Sequence, residues 1–149
     1  MIMTQAVKTP VHLWIVGVVS LLWNSIGVSD YVGFKLKSAW YIEQTGFNAK
    51  QVAWFDALPL WANIGWALGV WGAFIGSLLL LMRSRHAVTV FLISLIGLAI
   101  HSVHQLAVAK TEFIALFGSG PLFFMAVIWI IAIALYLYAR RQVAAGVLR

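Results

Sequence analysis

The sequence contains no cysteine, and only four of its 149 residues are acidic. Without cysteine, the chain has no disulfide framework, thiolate nucleophile, cysteine-ligated zinc or iron–sulfur centre. Charged residues make up 9% of the chain and hydrophobic residues 63%, against about 25% and about 45–50% in a soluble domain. This composition excludes a disordered chain, a collagen-like chain and an ordinary cytosolic enzyme, and it indicates a small protein that lies mostly inside a lipid bilayer.

Four long runs of the chain carry no Asp, Glu, Lys or Arg inside their apolar stretches, and each could cross about 30 Å of hydrocarbon as a helix. They cover residues 11–29, 58–82, 87–109 and 121–139. The alternation typical of strands is absent, and a helix satisfies its own backbone groups in lipid. The predicted fold class is therefore all-α: an integral membrane four-helix bundle that forms a single domain over residues 1–149. The first run lacks a small-residue cleavage site, so we expect a retained helix rather than a signal peptide.

The longest connection, between the first two runs, has the pattern of a short amphipathic helix before the second span. Asn48 is a suitable N-cap and Gln51 stands three residues later, as in a capping box. The helix should run towards Pro59, which would either open the second span or kink a longer helix. Residues Lys110 to Gly120 are expected to link the third and fourth spans. Five aromatic residues are expected in the headgroup layer: Trp40, Tyr41, Trp54, Phe55 and Trp61.

The charged residues lie in short clusters between the apolar runs, and the two signs are divided unevenly. With four spans, both termini and the second connection share one side, which carries Lys8 and all five arginines: Arg83, Arg85, Arg140, Arg141 and Arg149. The opposite side carries all four acids: Asp30, Glu43, Asp56 and Glu112. An excess of Lys and Arg marks the cytoplasmic side of a membrane protein, so we expect both termini in the cytoplasm.

Small residues form a stripe along each of the first two spans. The second span carries its stripe on one helix face: Gly65, Gly69, Gly72 and Gly76. A stripe of this kind lets a second backbone approach closely, either within the chain or across a homodimer interface. The first span has a parallel stripe: Gly17, Ser20, Asn24 and Gly27. The simplest arrangement docks the first two spans along these stripes.

Polar side chains at membrane depth are costly, so each is a candidate functional residue. Six of them fall at similar depth and form the predicted ligand-binding set: Asn24, Asp30, Asn63, His101, His104 and Gln105. The two histidines and Gln105 share one face of the third span. Three interpretations are open: interhelical hydrogen bonds, a polar pocket for a small solute, or a metal or proton site completed by the carboxylate of Asp30 or Asp56.

Signatures of known enzymes are absent from the sequence. It has no phosphate-binding loop, no G-x-S-x-G elbow and no H-E-x-x-H motif. We therefore predict a protein that is not an enzyme, with no catalytic residues, no cofactor and no assigned metal ligand. The expected partners are the lipid bilayer and either further copies of the chain or a larger membrane complex. Nucleic acid is not expected, because the basic residues do not form one soluble stripe.

Several motifs along nearly the whole chain carry a family resemblance. They are His12-Leu13-Trp14 leading into Leu22-Trp23-Asn24 and Gly27, the pair Asp30-Tyr31, the run Trp66 to Gly72, the block Ser77 to Arg85, and the ending Tyr138 to Arg141. Together they resemble a family of small four-helix bacterial inner-membrane proteins that are often automatically labelled "sugar transporter". The resemblance implies a transporter-like protein of the bacterial inner membrane. The alternative is an accessory or structural subunit of a larger membrane complex. The family pattern does not include His101 and His104, and this shifts weight to Asn24, Asp30 and Asn63.

Overall fold

The computed structural model describes residues 6–149, and the regular structure within them is entirely helical. The helices in chain order are α1 (Val11–Lys35), α2 (Ala39–Thr45), α3 (Ala49–Asp56), α4 (Leu60–Leu81), α5 (His86–Val103), α6 (Lys110–Phe117) and α7 (Gly120–Ala144). A π-helical turn over His104–Val108 continues α5. Four helices are long and apolar enough to cross a membrane: α1, α4, α5 with its π-helical turn, and α7. The predicted all-α class and four-helix membrane bundle are confirmed.

The predicted short helix before the second span is present as α3. Asn48 accepts a hydrogen bond from the backbone N–H of Gln51, and the Gln51 side chain accepts one from the backbone N–H of Asn48, both at 3.0 Å. This reciprocal pair satisfies two backbone donors that the start of a helix leaves free. Pro59 is the N-cap of α4, so it opens the second span rather than kinking a longer helix.

Two further short helices, α2 and α6, were not predicted. Ser38 caps α2 by accepting from the N–H of Tyr41, and Gly46 ends α2 in the left-handed region at φ 70°. Helix α6 fills most of the link between the third and fourth spans. Helices this short are marginal on local propensity alone. Packing of Phe113 and Phe117 against Trp54 stabilises α6.

The long helices pack in the order α1, α4, α5, α7, with α1 against α4 and α7 mainly against α5. The α1 stripe does dock on α4: the amide of Asn24 donates to Ser77, and Gly27 lies against Val70. The glycine stripe of α4, however, faces α5 and not α1. A Cβ atom on Gly72 would lie 2.9 Å from the Cβ of Ser94.

The predicted pairing of the two stripes is therefore wrong for the α4 side. All four glycines of α4 lie under residues of α5: Gly65, Gly69, Gly72 and Gly76. The spacing of small residues shows that a backbone can approach closely, but it does not show which helix approaches. Helix α5 supplies the complementary surface because it has its own small residues, Ser94 and Gly97, at the contact.

The bundle has two chemically distinct ends. The arginine end contains the start of α1, the α4–α5 turn and the last residues of the chain, where the backbone of Arg149 bonds to that of Arg83 and Arg85 at 2.8 and 3.0 Å. Val147 and Leu148 are buried there in an apolar cluster. The acidic end contains α2, α3 and α6, together with Asp30, Glu43, Asp56 and Glu112.

An aromatic cap closes the acidic end of the bundle. Its members are Phe34, Phe47, Trp54, Phe55, Phe113 and Phe117. Phe34 and Phe55 stack with ring centroids 4.4 Å apart, and Trp54 is only 5% exposed. Trp54 therefore packs inside the protein instead of facing the headgroup layer as predicted, whereas Trp40 is exposed as expected.

Candidate ligand cavity

A cavity of about 670 Å³ lies between the four long helices. Its size falls in the range of about 300–1,000 Å³ that is typical of small-molecule sites. Residues of α1, α4, α5 and α7 line its sides, and the aromatic cap covers its acidic end. Phe91 and Leu135, which belong to the apolar cluster near the arginine end, form its floor. The cavity is thus enclosed by consecutive contacts of α1 with α4, α4 with α5 and α5 with α7, and it is open between α1 and α7.

Four of the six predicted site residues line this one cavity: Asn24, Asp30, His101 and Gln105. Asn24 and Asp30 come from α1, whereas His101 and Gln105 come from α5 and its π-helical turn. A common site requires Asp30 and His101 to lie on the same side of the bundle. Both residues line the cavity, and they lie at similar depth. Trp66 of α4 shows this, since it contacts His101 and also Tyr31, the neighbour of Asp30.

His101 is held in a fixed orientation by α4. Its Nδ1 atom lies 3.3 Å from the carbonyl oxygen of Ala62, and its ring stacks on Trp66 at a centroid distance of 5.8 Å. A carbonyl oxygen can only accept, so this contact requires a proton on Nδ1. In the neutral ring, Nε2 is then an acceptor. Gly65 permits this contact, since a Cβ atom there would lie 2.9 Å from the backbone nitrogen of His101.

Asp30 lies near the acidic end of α1 and accepts a hydrogen bond from the hydroxyl of Tyr41 on α2. Burial of Tyr41, and then the adjacent carboxylate of Asp30, raise the pKa of the Tyr41 phenol well above its ordinary value of 10. Tyr41 thus remains a hydrogen-bond donor at physiological pH, and it positions the carboxylate at the cavity wall.

Asn24 lies deeper in the bundle than Asp30. Its side-chain nitrogen donates to the carbonyl oxygen of Ala73 at 3.1 Å and to the hydroxyl of Ser77 at 2.9 Å. Within residues 6–149, no hydrogen bond reaches its side-chain oxygen. Asn24 therefore joins α1 to α4 and at the same time presents an acceptor near the cavity.

Gln105 is half-buried on the π-helical turn, and its side chain has no hydrogen bond to any part of the chain that the structure describes. A π-helical turn inserts an extra residue into the helix and is often found at functional sites. Its amide has both donors and an acceptor available for a ligand.

Asn63 and His104 do not line the cavity. Asn63 donates to the carbonyl oxygen of Leu58 at 2.9 Å and accepts from Lys35, so it ties the α3–α4 turn to α1. His104 is 7% exposed and packs between Trp54 and Trp61, with centroid distances of 5.7 and 5.5 Å. Its Nδ1 atom is buried with no hydrogen-bond partner among the described residues.

The metal interpretation needed both histidines and a carboxylate in one place. Over residues 6–149, no three His, Cys, Asp or Glu side chains come close enough to hold an ion. The two histidines have different surroundings: His101 lines the cavity, whereas His104 packs against Trp54 of the aromatic cap. Asp56 lies at the surface, where it forms an ion pair with Lys37 at 3.1 Å.

Sequence reasoning missed several residues that shape the cavity. Tyr41 was expected to face headgroups, yet it positions Asp30. Trp66, which was not among the predicted site residues, supports His101. Phe34, Phe47 and Phe117 cover the acidic end of the cavity. Nothing in their local pattern distinguishes them from ordinary packing residues, because the three rings come from distant parts of the chain.

The arrangement suits reversible binding better than covalent chemistry. Its polar side chains include a carboxylate, an imidazole, two amides and the hydroxyls of Thr45 and Ser94 on an apolar wall. Among residues 6–149, both hydroxyls donate to backbone oxygens and neither is paired with a base. Comparison with known proteins adds no information on the cavity. No protein-family model, no curated protein and no solved structure that was compared with the chain matches it.

Proposed function

We propose that the protein is a transporter-like membrane protein that binds a small solute in the cavity between its four spans. The observation that supports this most directly is the convergence of Asn24, Asp30, His101 and Gln105 on one cavity. Ligand sites in helical bundles form between facing helices, where a few polar groups orient a ligand on apolar walls. On this proposal the protein has no catalytic activity of its own.

The charge distribution supports an orientation for the proposed site. All five arginines lie at the arginine end and all four acids at the other. The positive-inside rule then puts the arginine end in the cytoplasm, with both termini there. Asp30, His101 and Gln105 fall in the outer half of the bilayer. The resemblance to small bacterial inner-membrane proteins supports the same location.

One chain of four spans is small for alternating access, so transport by this protein would use a homo-oligomer. The alternative role, an accessory subunit docked through the α4 glycines, finds less support. Those glycines pack against α5 and leave no free stripe for a partner.

Native mass spectrometry of the protein in mild detergent tests the proposal. We expect a co-purified small molecule on the wild-type chain that is lost in Asp30→Asn and in His101→Ala. The matched controls are Asp56→Asn and His86→Ala, since both positions are exposed and outside the cavity. A bound mass that survives both cavity substitutions, or a bare wild-type chain, would contradict the proposal.

A further inference from the structure

Most of the cavity wall is apolar, and this restricts the chemistry of its ligand. Beyond the polar residues near the acidic end, the lining is dominated by side chains such as Val70, Leu98, Ile128 and Ile131. Burial of a hydroxyl on such a wall without a hydrogen-bond partner is unfavourable. A sugar, with hydroxyls over its whole surface, would leave most of them unpaired here. The wall therefore fits a ligand whose body is hydrocarbon.

Gln105 can both donate to a ligand and accept from it, whereas the other three predicted site residues of the lining offer acceptors. Asp30 offers a carboxylate, His101 the unprotonated Nε2 of its neutral ring and Asn24 its side-chain oxygen. Asp30 and His101 lie at similar depth, since Trp66 contacts His101 and also Tyr31, the neighbour of Asp30. Asn24 lies further inside. This set complements a single head group that donates hydrogen bonds, such as a hydroxyl or an amine.

The cavity also has a lateral opening towards the bilayer. Helices α1 and α7 do not pack along their lengths; they meet where Trp23 contacts Phe124 at 5.9 Å and where the Nδ1 atom of His12 lies 2.5 Å from the Tyr138 hydroxyl. Ile26 and Phe124 line the cavity, yet they are 58% and 51% exposed. The same side chains thus face the cavity and the surrounding hydrocarbon.

From these three observations we infer that the ligand is a single-chain amphiphile with a hydrogen-bond-donating head, taken laterally from the bilayer between α1 and α7. Its head lies at Asp30 and His101 beneath the aromatic cap, and its chain extends along Leu98 and Ile128 towards Leu135. The inference rests on the proposed function and specifies its ligand class. It distinguishes this site from one that takes a sugar from water.

Photo-crosslinking in lipid nanodiscs tests the ligand class. The probes are a long-chain alcohol and a long-chain amine that carry a diazirine in the chain, compared with a diazirine-bearing hexose. We expect both amphiphiles to label peptides of α5 and α7 that line the cavity, and the hexose to label none. If only one amphiphile labels, that result identifies the head as hydroxyl or amine.

Matched substitutions show whether labelling comes from the cavity. Ala132 lines it, whereas Ala134 lies on the exposed face of the same helix. Ala132→Phe should abolish labelling of the cavity peptides, and Ala134→Phe should leave it unchanged. Gly27→Val is a second blocking variant, because a Cβ atom there meets Val70 only at an ordinary 3.8 Å. Asp30→Asn should weaken competition by the unlabelled amine about tenfold or more.

The outcomes separate this inference from the proposed function. Labelling by the hexose but not by the amphiphiles, blocked by Ala132→Phe, would overturn the amphiphile while retaining a binding cavity. Amphiphile labelling that is equal in Ala132→Phe, Gly27→Val and Ala134→Phe would reflect annular lipid and would also overturn the inference. Absence of cavity labelling by every probe would count against both.

Discussion

At the scale of single residues, close helix packing depends on glycines for which no larger side chain has space. Gly97 has the closest contact to backbone atoms, since a Cβ atom there would lie 2.5 Å from the backbone nitrogen of Gly69 and 2.7 Å from the carbonyl oxygen of Gly65. Backbone atoms in a packed helix pair cannot move aside as a flexible side chain can. This contact holds α5 near enough for His101 to reach Ala62.

Gly97→Ala should therefore separate α4 from α5 and destabilise the protein by about 1–3 kcal/mol, as overpacking does in other cores. Reversible unfolding in mixed micelles of mild detergent and dodecyl sulfate measures the change. Gly120→Ala is the matched control, because the space around Gly120 is open and its substitution should have little effect. Equal stability of the two variants would show that the α4–α5 contact is not as close as described.

Tyr41 gives a second prediction at this scale, in its response to pH. Because the pKa of Tyr41 is raised, its hydrogen bond to Asp30 should contribute stability fully below pH 10 and lose it only as the pH rises through the higher, folded-state value. Absorbance of tyrosinate near 295 nm, taken as the difference between wild type and Tyr41→Phe, should stay flat up to about pH 11, where a free tyrosine is mostly ionised.

The Asp30→Asn variant tests how much the carboxylate of Asp30 adds to the effect of burial on the pKa of Tyr41. Removal of the carboxylate takes away the neighbouring negative charge, so Tyr41 should ionise at lower pH than in the wild type. Ionisation of Tyr41 near pH 10 in the wild-type protein would contradict the hydrogen bond between α1 and α2.

At the scale of elements, the short helices of the acidic end connect the cap to the cavity. Helix α3 starts at the capping box and carries Trp54 and Phe55 into the aromatic cap. The Gln51 side chain also donates to the carbonyl oxygen of Leu116 at 2.9 Å, and this joins α3 to the end of α6. The N-terminus of α3 thus supports both its own helix and the cover of the cavity.

Asn48→Ala should destabilise α3 by about 1 kcal/mol, the usual cost of losing an N-cap. Hydrogen–deuterium exchange in nanodiscs should show faster exchange over residues 49–56, while α5 stays protected. Lys50→Ala, at an exposed position in the same helix, should leave the exchange unchanged. Faster exchange in the lysine variant but not in the asparagine variant would contradict the role of the capping box.

The sequence predicted α3 but not α6, and the difference has a physical basis. A capping box is a local signal, because both partners lie within one helical turn. The main stabilising contacts of α6 are rings from other elements, such as Trp54 against Phe113. No window of neighbouring residues contains that interaction. The same limit explains why Tyr41 and Trp66 were not recognised as supports of Asp30 and His101.

At the scale of the whole molecule, the two ends differ in charge, and the proposed orientation in the membrane rests on that difference. The absence of cysteine permits a direct test, since any introduced cysteine is the only thiol in the chain. His86 lies exposed at the arginine end and Glu43 exposed at the acidic end. A membrane-impermeant maleimide added to intact cells should label Glu43→Cys and leave His86→Cys unlabelled until the cells are opened. The reverse pattern would overturn the proposed orientation.

The sequence alone determined the fold class, the number of spans and the division of charge between the two ends. These properties depend on composition and on the length of the apolar runs. The thickness of the bilayer sets the length that a span needs, and no tertiary contact is required to recognise it. It also selected six polar residues at similar depth, of which Asn24, Asp30, His101 and Gln105 meet in the cavity.

Only the tertiary structure decided which faces of the helices meet. It placed the α4 glycines under α5, directed Asn63 to Lys35 and enclosed His104 between two tryptophans. Small and polar residues show that a helix face can pack closely or form hydrogen bonds. Which helix packs against that face depends on how side chains from distant segments fit together. That steric fit left the space between α1 and α7 open and created a cavity from residues that are up to 112 positions apart, between Trp23 and Leu135.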